Sequence, residues 1–264
     1  MRGFFHDFRG LDQCNMALAK TKLSVSEPSL DPSNIPHHIA VIMDGNRRWA
    51  KEHHLPAWEG HRKGAETLKQ IVEACGDLGV KVLTAYAFSK ENWKRSKEEI
   101  DIILRLFNFY LRHERENLYQ NGVRFQAIGH IQEMGEKLRE EFRKTEEYTA
   151  ENSKLLLNLA VNYGGRTEMV DAVKAISQKV KNGELEVSRI DENLISQHLY
   201  TAGLPDPDLL IRTSGELRIS NFLLWQMAYA EFWFTPLRWP DFKKSDLVQA
   251  VADYQSRSRR LGGS

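Results

Sequence analysis

Three stretches of the chain concentrate side chains that could hold an anion. Asp44-Gly45-Asn46-Arg47-Arg48 follows one apolar run, Phe88-Ser89-Lys90-Glu91-Asn92 with Arg95 follows a second, and Arg212-Thr213-Ser214-Gly215-Glu216-Leu217-Arg218 follows a third. Arginine is permanently charged and planar, a donor fork matched to phosphate oxygens, and glycine with short polar residues lets backbone N–H groups approach an anion where a helix starts. The pattern predicts a phosphorylated ligand. Asp44 among these arginines has two readings: a turn former paired with an arginine, or a ligand for a hard cation such as magnesium, bridging carboxylate and diphosphate oxygens. Residue types alone do not choose between them. Neither a Walker A sequence nor G-x-G-x-x-G occurs, so the usual nucleotide fingerprints are missing.

These stretches are useful only if the fold gathers them. Ile39 to Met43, Val80 to Phe88, Val123 to Ile128, Leu155 to Val161, Asp208 to Arg212 and Glu231 to Phe234 read as strands by length and β-branched or aromatic content. Between them run helical patterns: Gly64 to Leu78, a long helix from Ser96 toward Gln120 opened by the capping-box spacing Ser96-Lys97-Glu98-Glu99 and stopped by Asn121-Gly122, then about Glu133 to Tyr148, Thr167 to Val180 and Phe242 to Arg257. Strands separated by helices imply an α/β class: a single domain with a central, mostly parallel six-stranded sheet flanked by helices. Ligands of open parallel sheets gather at the carboxyl ends of the strands, where the three stretches lie.

The 264 residues suffice for one large domain, and 37 Lys plus Arg against 36 Asp plus Glu leave no charge excess that would predict nucleic acid as a partner. With 41% hydrophobic and 28% charged residues the composition is that of a soluble globular chain, with no apolar run near the length of a membrane span. Cys14 and Cys75 form neither a disulfide framework nor a zinc pattern. Residues 1–33, basic and aromatic at first and rich in Pro and Ser later, read as a flexible tail or a partial targeting segment. The folded domain is placed at 34–264.

The segment His38-Ile39-Ala40-Val41-Ile42-Met43-Asp44-Gly45-Asn46-Arg47-Arg48-Trp49-Ala50 closely resembles the first signature of the cis-prenyltransferases, the undecaprenyl and dehydrodolichyl diphosphate synthase family. Four further blocks agree: Gly60-His61-Arg62, Ala87-Phe88-Ser89 through Glu91-Asn92-Trp93, Asn162-Tyr163-Gly164-Gly165-Arg166, and Ile211-Arg212-Thr213 to Trp225-Gln226. The likeness covers about residues 35 to 263. It implies a homodimeric, Mg2+-dependent transferase that condenses isopentenyl diphosphate with a C5 to C15 allylic diphosphate, forming a Z double bond. The rival all-helical prenyltransferases use Asp-Asp-x-x-Asp motifs, and this sequence has no adjacent Asp pair.

Carried over by that resemblance, Asp44 binds magnesium, while Gly45, Asn46, Arg47, Arg48 and Trp49 surround the allylic diphosphate with His61 close by. Arg212, Arg218 and Ser220 match the isopentenyl diphosphate site, and Glu231 a second acidic group at the metal. Phe88, Ser89, Asn92 and Arg95 match residues near the reacting carbons, and the proton acceptor stays open between a substrate oxygen, Asp44 and a Ser89–Asn92 relay. Read alone, His61 is as readily structural, and Trp93 a packing anchor. Arg260 and Gly262 match a terminal motif that reaches the partner subunit's site.

Leu106, Phe107, Phe109 and Tyr110 form an aromatic stripe that either narrows a product tunnel or fills core. With Ala57, Leu217 and Ser96 departing from frequent family residues, and Arg47 matching eukaryotic relatives, the stripe suggests a short-chain, plant-type enzyme making a C10 to C20 product. Its expected location is the plastid stroma, or otherwise the cytoplasm. Alternatives are a long-chain polyprenyl diphosphate synthase, irregular coupling of two C5 units, and a non-catalytic partner subunit. The last is disfavoured by the presence of Asp44, Asn92, Arg212, Arg218 and Glu231 together.

Overall fold

The computed structural model describes residues 28–257. Six strands, β1 (His38–Ile42), β2 (Val82–Ser89), β3 (Val123–Ile128), β4 (Leu155–Tyr163), β5 (Leu209–Arg212) and β6 (Glu231–Phe234), form one sheet in the order β3-β4-β2-β1-β5-β6. Every neighbouring pair is parallel. The expected α/β class and six-stranded sheet are therefore present, with β3 and β6 on the spans read from sequence. β1 sits at the centre and is buried along its whole length, which explains why it reads as a continuous apolar run and not as an alternation.

Eight α-helices lie among the described residues: α1 (Asn46–Glu52), α2 (Ala57–Leu78), α3 (Lys97–His113), α4 (Arg115–Gln120), α5 (Glu136–Tyr148), α6 (Gly165–Lys181), α7 (Glu192–Ser196) and α8 (Lys244–Ser256). Alternate strand residues serve two cores. Ile39 and Val41, Leu83 and Ala85, and Leu209 and Ile211 face a large cluster with α2, α3, α5 and α8, whereas Ala40, Ile42, Tyr86 and Leu210 meet Phe222, Leu223 and Met227 on the other side. Cys75 is buried in the first core, and burial pushes its thiol up to about 12.

The expectations needed adjustment where a helix starts or breaks. α2 begins seven residues before the expected Gly64, and α1 occupies residues for which no element is read from the sequence. Ser96 does cap α3, accepting from the Glu99 N–H at 3.3 Å, but the long helix breaks at Glu114, which ends α3 and opens α4. Asp31 docks on α8: its N–H donates to Gln255 Oε1 at 3.0 Å and its carbonyl accepts from Gln255 Nε2 at 2.8 Å.

The amino ends of the strands contain one buried titratable group. His38 is fully enclosed, with Nδ1 2.7 Å from the Pro205 carbonyl and Nε2 2.7 Å from Thr84 Oγ1. A carbonyl can only accept, so Nδ1 carries the proton and Nε2 accepts from Thr84. Burial lowers the His38 pKa to about 4, against the opposing effects of the Pro205 hydrogen bond and the Asp208 charge. Between an unfolded value of 6.5 and that folded value, only the unfolded chain takes up the proton. The protection is therefore full above pH 6.5 and is lost as the pH falls toward 4. From pH 7 to 4.5 this one group should remove about 2 to 3 kcal/mol of stability. Urea unfolding of the wild type and His38→Gln at both pH values should give a shallower pH dependence in the variant by that amount, and parallel profiles would exclude the assignment.

Candidate active site

Asp44 leaves the carboxyl end of β1 and is held from three directions. Its backbone carbonyl accepts from Thr213 Oγ1 at 2.7 Å, Ser214 Oγ at 2.9 Å and the Trp239 N–H at 3.0 Å. Its carboxylate receives Arg48 Nη2 on one oxygen and Arg212 Nη2 on the other, each at 3.0 Å. Burial raises the cost of this charge, but the Arg212 hydrogen bond and the Arg48 and Arg212 charges outweigh it, so the pKa lies below the usual carboxylate value. Asp44 is ionised at neutral pH. Its first reading, an acid paired with arginine, is thus present in the structure, and pairing leaves it charged and able to meet a cation.

Gly45 makes the chain's turn into α1 possible. Its φ is 105°, and a Cβ there would lie 2.0 Å from Ser214 Oγ. α1 then presents Arg47, Arg48 and Lys51 to a basin also lined by Asp44, Asn46, His61 and Arg95. Gly60 and Gly64 on α2 let that helix press against the start of α1: added Cβ atoms would lie 2.0 Å from the Asn46 carbonyl oxygen and 2.5 Å from Asn46 Oδ1. Trp49 does not join the basin. Its indole donates to Asp241 at 2.8 Å and its ring stacks on His53 at 4.2 Å, so it anchors α1 to the turn at residues 239–241.

The arginines are balanced by two carboxylates that the sequence reading did not place in the site. Glu99, on the first turn of α3, lies 2.8 Å from Arg95, 3.5 Å from Arg47 and 3.3 Å from His61 Nε2. Glu216 accepts from Arg48 at 2.6 Å and also from Arg218, and these bonds, the Arg218 one first, hold its carboxyl below the usual range. The signal for Glu99 was its i+4 spacing from Arg95. Glu216 had none, because it acts across a loop. Burial, helped by the Arg95 charge, lowers the His61 pKa despite the nearby Glu99, which favours the neutral ring.

Arg212 is 2% exposed, and its second terminal nitrogen donates to Ser220 Oγ at 2.7 Å and to the Arg218 carbonyl. Arg212, Arg218 and Ser220 are therefore brought together, beside Asp44. Glu231 is not. It pairs in register with Leu209, which stands opposite Ile39, while Arg212 pairs with Phe234. Glu231 thus lies some five residues behind Asp44, about 16 Å along the strand direction, and its carboxylate binds Arg257 at 2.7 Å. The two acids cannot share one ion within a chain. Phe88 and Ser89 close β2, with the Ser89 N–H donating to Asn92 Oδ1 at 3.0 Å. Arg260 and Gly262 lie outside the described residues.

The basin continues into an apolar channel, with Met43, Asn46 and His61 in the walls of both. The channel runs between α2, α3 and the sheet past Leu68, Leu106, Phe107 and Tyr110, and on to Leu118, Val123 and Phe125 near its far end. Phe109, from the expected stripe, faces elsewhere: it is half exposed and stacks on His113 at 4.0 Å. Tyr110 lies on the wall, and its hydroxyl donates to the Arg62 carbonyl at 3.3 Å. A polar, cationic basin opening into a hydrocarbon-lined channel fits an amphiphile with an anionic head.

A family model described as putative undecaprenyl diphosphate synthase matches residues 42–262. The chain is 52% identical over 248 residues to an isoprenyl transferase of Heliobacterium mobile, covering 92% of this chain and 95% of that one. It is 48% identical over 229 residues to an isoprenyl transferase of Bacillus subtilis, covering 87% and 88%. Among solved structures, lavandulyl diphosphate synthase from Lavandula x intermedia, in complex with dimethylallyl diphosphate, superposes with a TM-score of 0.85 at 40% identity over 88% of this chain and all of that one. A probable undecaprenyl diphosphate synthase from Campylobacter jejuni gives 0.72 at 35% identity, over 87% and 100%.

The α1–α2 contact sets a direct test. Gly60→Ala should cost about 1 to 3 kcal/mol through overpacking against the Asn46 backbone. It should also weaken inorganic pyrophosphate binding in calorimetry, because α1 carries Arg47, Arg48 and Lys51. Unchanged stability and affinity would mean that the helices do not need this approach.

Proposed function

The chain belongs to the undecaprenyl diphosphate synthase family, the cis-prenyltransferases, and is a prenyl-transferring enzyme; on that premise we propose that it condenses isopentenyl diphosphate with an allylic diphosphate, repeatedly, to a Z-prenyl diphosphate. The observation that carries this reading is the junction at Met43, Asn46 and His61, where the cationic basin becomes the apolar channel. The allylic head would sit among Arg47, Arg48 and Arg95, and isopentenyl diphosphate against Arg212, Arg218 and Ser220. Breaking the allylic C–O bond sends its electron pair to the diphosphate, the new C–C bond forms to the alkene of isopentenyl diphosphate, and a proton leaves. Guanidinium groups placed for the leaving charge favour the transition state over the bound substrate.

To accept a diphosphate, Arg47, Arg48 and Arg95 must exchange Glu99, Glu216 or Asp44 for phosphate oxygens, an exchange of one anionic partner for another. Asp44 is the residue we assign to Mg2+. A single ionised carboxylate together with diphosphate oxygens and water fits how this ion is held. Bound there, Mg2+ would neutralise charge building on the leaving group. Glu231 is not assigned to the same ion within one chain. A homodimer is the assembly we favour, since Met169, Val170 and Val173 leave an exposed apolar strip on α6.

Tail length follows from the channel. Its lining continues past Tyr110 to Leu118, Val123 and Phe125, which supports several rounds of elongation and thus the undecaprenyl type of product. The second reading, a C10 to C20 product, draws on the Tyr110 bond to the Arg62 carbonyl, which fixes a ring in the wall. The relatives compared are bacterial apart from the lavender enzyme, and the plastid expectation draws no support from them. No helix among the described residues is long and apolar enough to cross a membrane.

Incubation with labelled isopentenyl diphosphate, Mg2+ and C5, C10 or C15 allylic primers, with products separated by chromatography and mass, tests the reaction. Asp44→Asn should lower turnover at least about 100-fold, and chelation should abolish it; a wild type that joins no isoprene units would refute the reading. In the same assay Tyr110→Ala should shift the products to longer chains. An identical distribution would remove Tyr110 from length control.

A further inference from the structure

The loop between β2 and α3 carries Asn92 and Arg95 and is tied to the sheet through Trp93. The Trp93 indole N–H donates to Asn162 Oδ1 at 2.7 Å, and the ring meets Phe88 edge-on at 5.3 Å. Asn162 is 1% exposed and has a φ of 49°, a left-handed backbone that Asn tolerates better than other side chains do. Its amide nitrogen donates to the His130 carbonyl at 3.1 Å and to Glu133 Oε2 at 2.8 Å. Glycine would supply the backbone but none of these bonds. Aspartate could accept from Trp93, but it would lose both donors and set its charge against Glu133.

We propose that Asn162 is a positioning residue for the transfer reaction: through the Trp93 indole it fixes the 90–95 loop, and with it Asn92 and Arg95, relative to the carboxyl ends of β3 and β4. This rests on the reading that Ser89, Asn92 and Arg95 face the reacting ends of the substrates. A second asparagine in left-handed backbone, Asn221 with a φ of 63°, holds the other side of the loop by donating to Glu91 Oε1 at 2.9 Å. Trp93 is about one-third exposed, so its N–H can turn to water once the Asn162 oxygen is gone. Losing the bond therefore releases the loop and leaves the core intact. If Asn162 served only to stitch β3 to β4 through His130 and Glu133, Trp93 would be irrelevant to its effect.

The test uses Asn162→Gly, which keeps the backbone permitted, Trp93→Phe, which keeps a ring on Phe88 but removes the donor, and the double variant. Each single change should lower kcat about 10- to 100-fold, the scale of a small displacement of reacting groups. The double variant should fall no more than about twofold below the weaker single, because both changes cut one linkage. Amide exchange of the ligand-free proteins should quicken at least about tenfold at residues 90–95 in both singles, while β1 and β5 stay protected. Losses that multiply, or loop exchange that matches wild type, would overturn the proposal. Exchange is read without turnover, so it decides the Asn162–Trp93 linkage even where the wild type transfers no prenyl group, a result that would sink the functional reading alone.

Discussion

A buried guanidinium needs an acid beside it, and the ion pair between the enclosed Arg212 and the half-buried Asp44 is the constraint around which the site is arranged. Removing Asp44 would leave the enclosed Arg212 charge without its acid, whereas Asp44 faces the basin and keeps Arg48. The pair joins the ends of β5 and β1, and the other arm of Arg212 gathers Ser220 and the Arg218 carbonyl, so the loop after β5 is drawn over the same carboxylate. Thr213 and Ser214 close on the Asp44 carbonyl from that loop. Strand order, loop path and the direction of the Asp44 side chain thereby settle one another.

Around this pair the charges are mutually satisfied. Glu99 and Glu216 hold four arginines and His61 at the rim of the basin, so the cationic groups stand in place before an anion arrives. Backbone in the left-handed region concentrates here too: Asn162, Ser214, Ser220 and Asn221 all have positive φ. Such conformations persist where neighbouring contacts over-determine them: Ser214 and Ser220 bond Asp44 and Arg212, and Asn162 and Asn221 bond Trp93 and Glu91 of the loop between β2 and α3.

Much of this was legible in the residues. Buried parallel strands read as continuous apolar runs, and the three arginine-bearing stretches do lie at the carboxyl end of the sheet, because βαβ connections deliver each strand in the same direction. Local pattern failed where the cause was distant. α1 is short and polar, so Asn46 to Glu52 shows no apolar stripe; its helix depends on Gly60 and Gly64, which permit α2 to lie against it. Glu216 finds Arg48 only after the loop closes. Trp49 and Phe109 belong to suggestive stretches but turn away, as their position around a helix dictates. Glu231 sits near Arg218 in sequence, yet the register of β6 sends it to the opposite end of its strand.

On the proposed reaction, the shared wall at Met43, Asn46 and His61 would hold the head of an amphiphile while its tail extends along α2 and α3. Each five-carbon increment taken up by the apolar walls adds about 4 kcal/mol of burial, at roughly 0.8 kcal/mol per methylene-sized group. Residence time would therefore climb steeply with every increment. Departure of the product would, on the proposed reaction, slow with each increment of tail that the channel encloses.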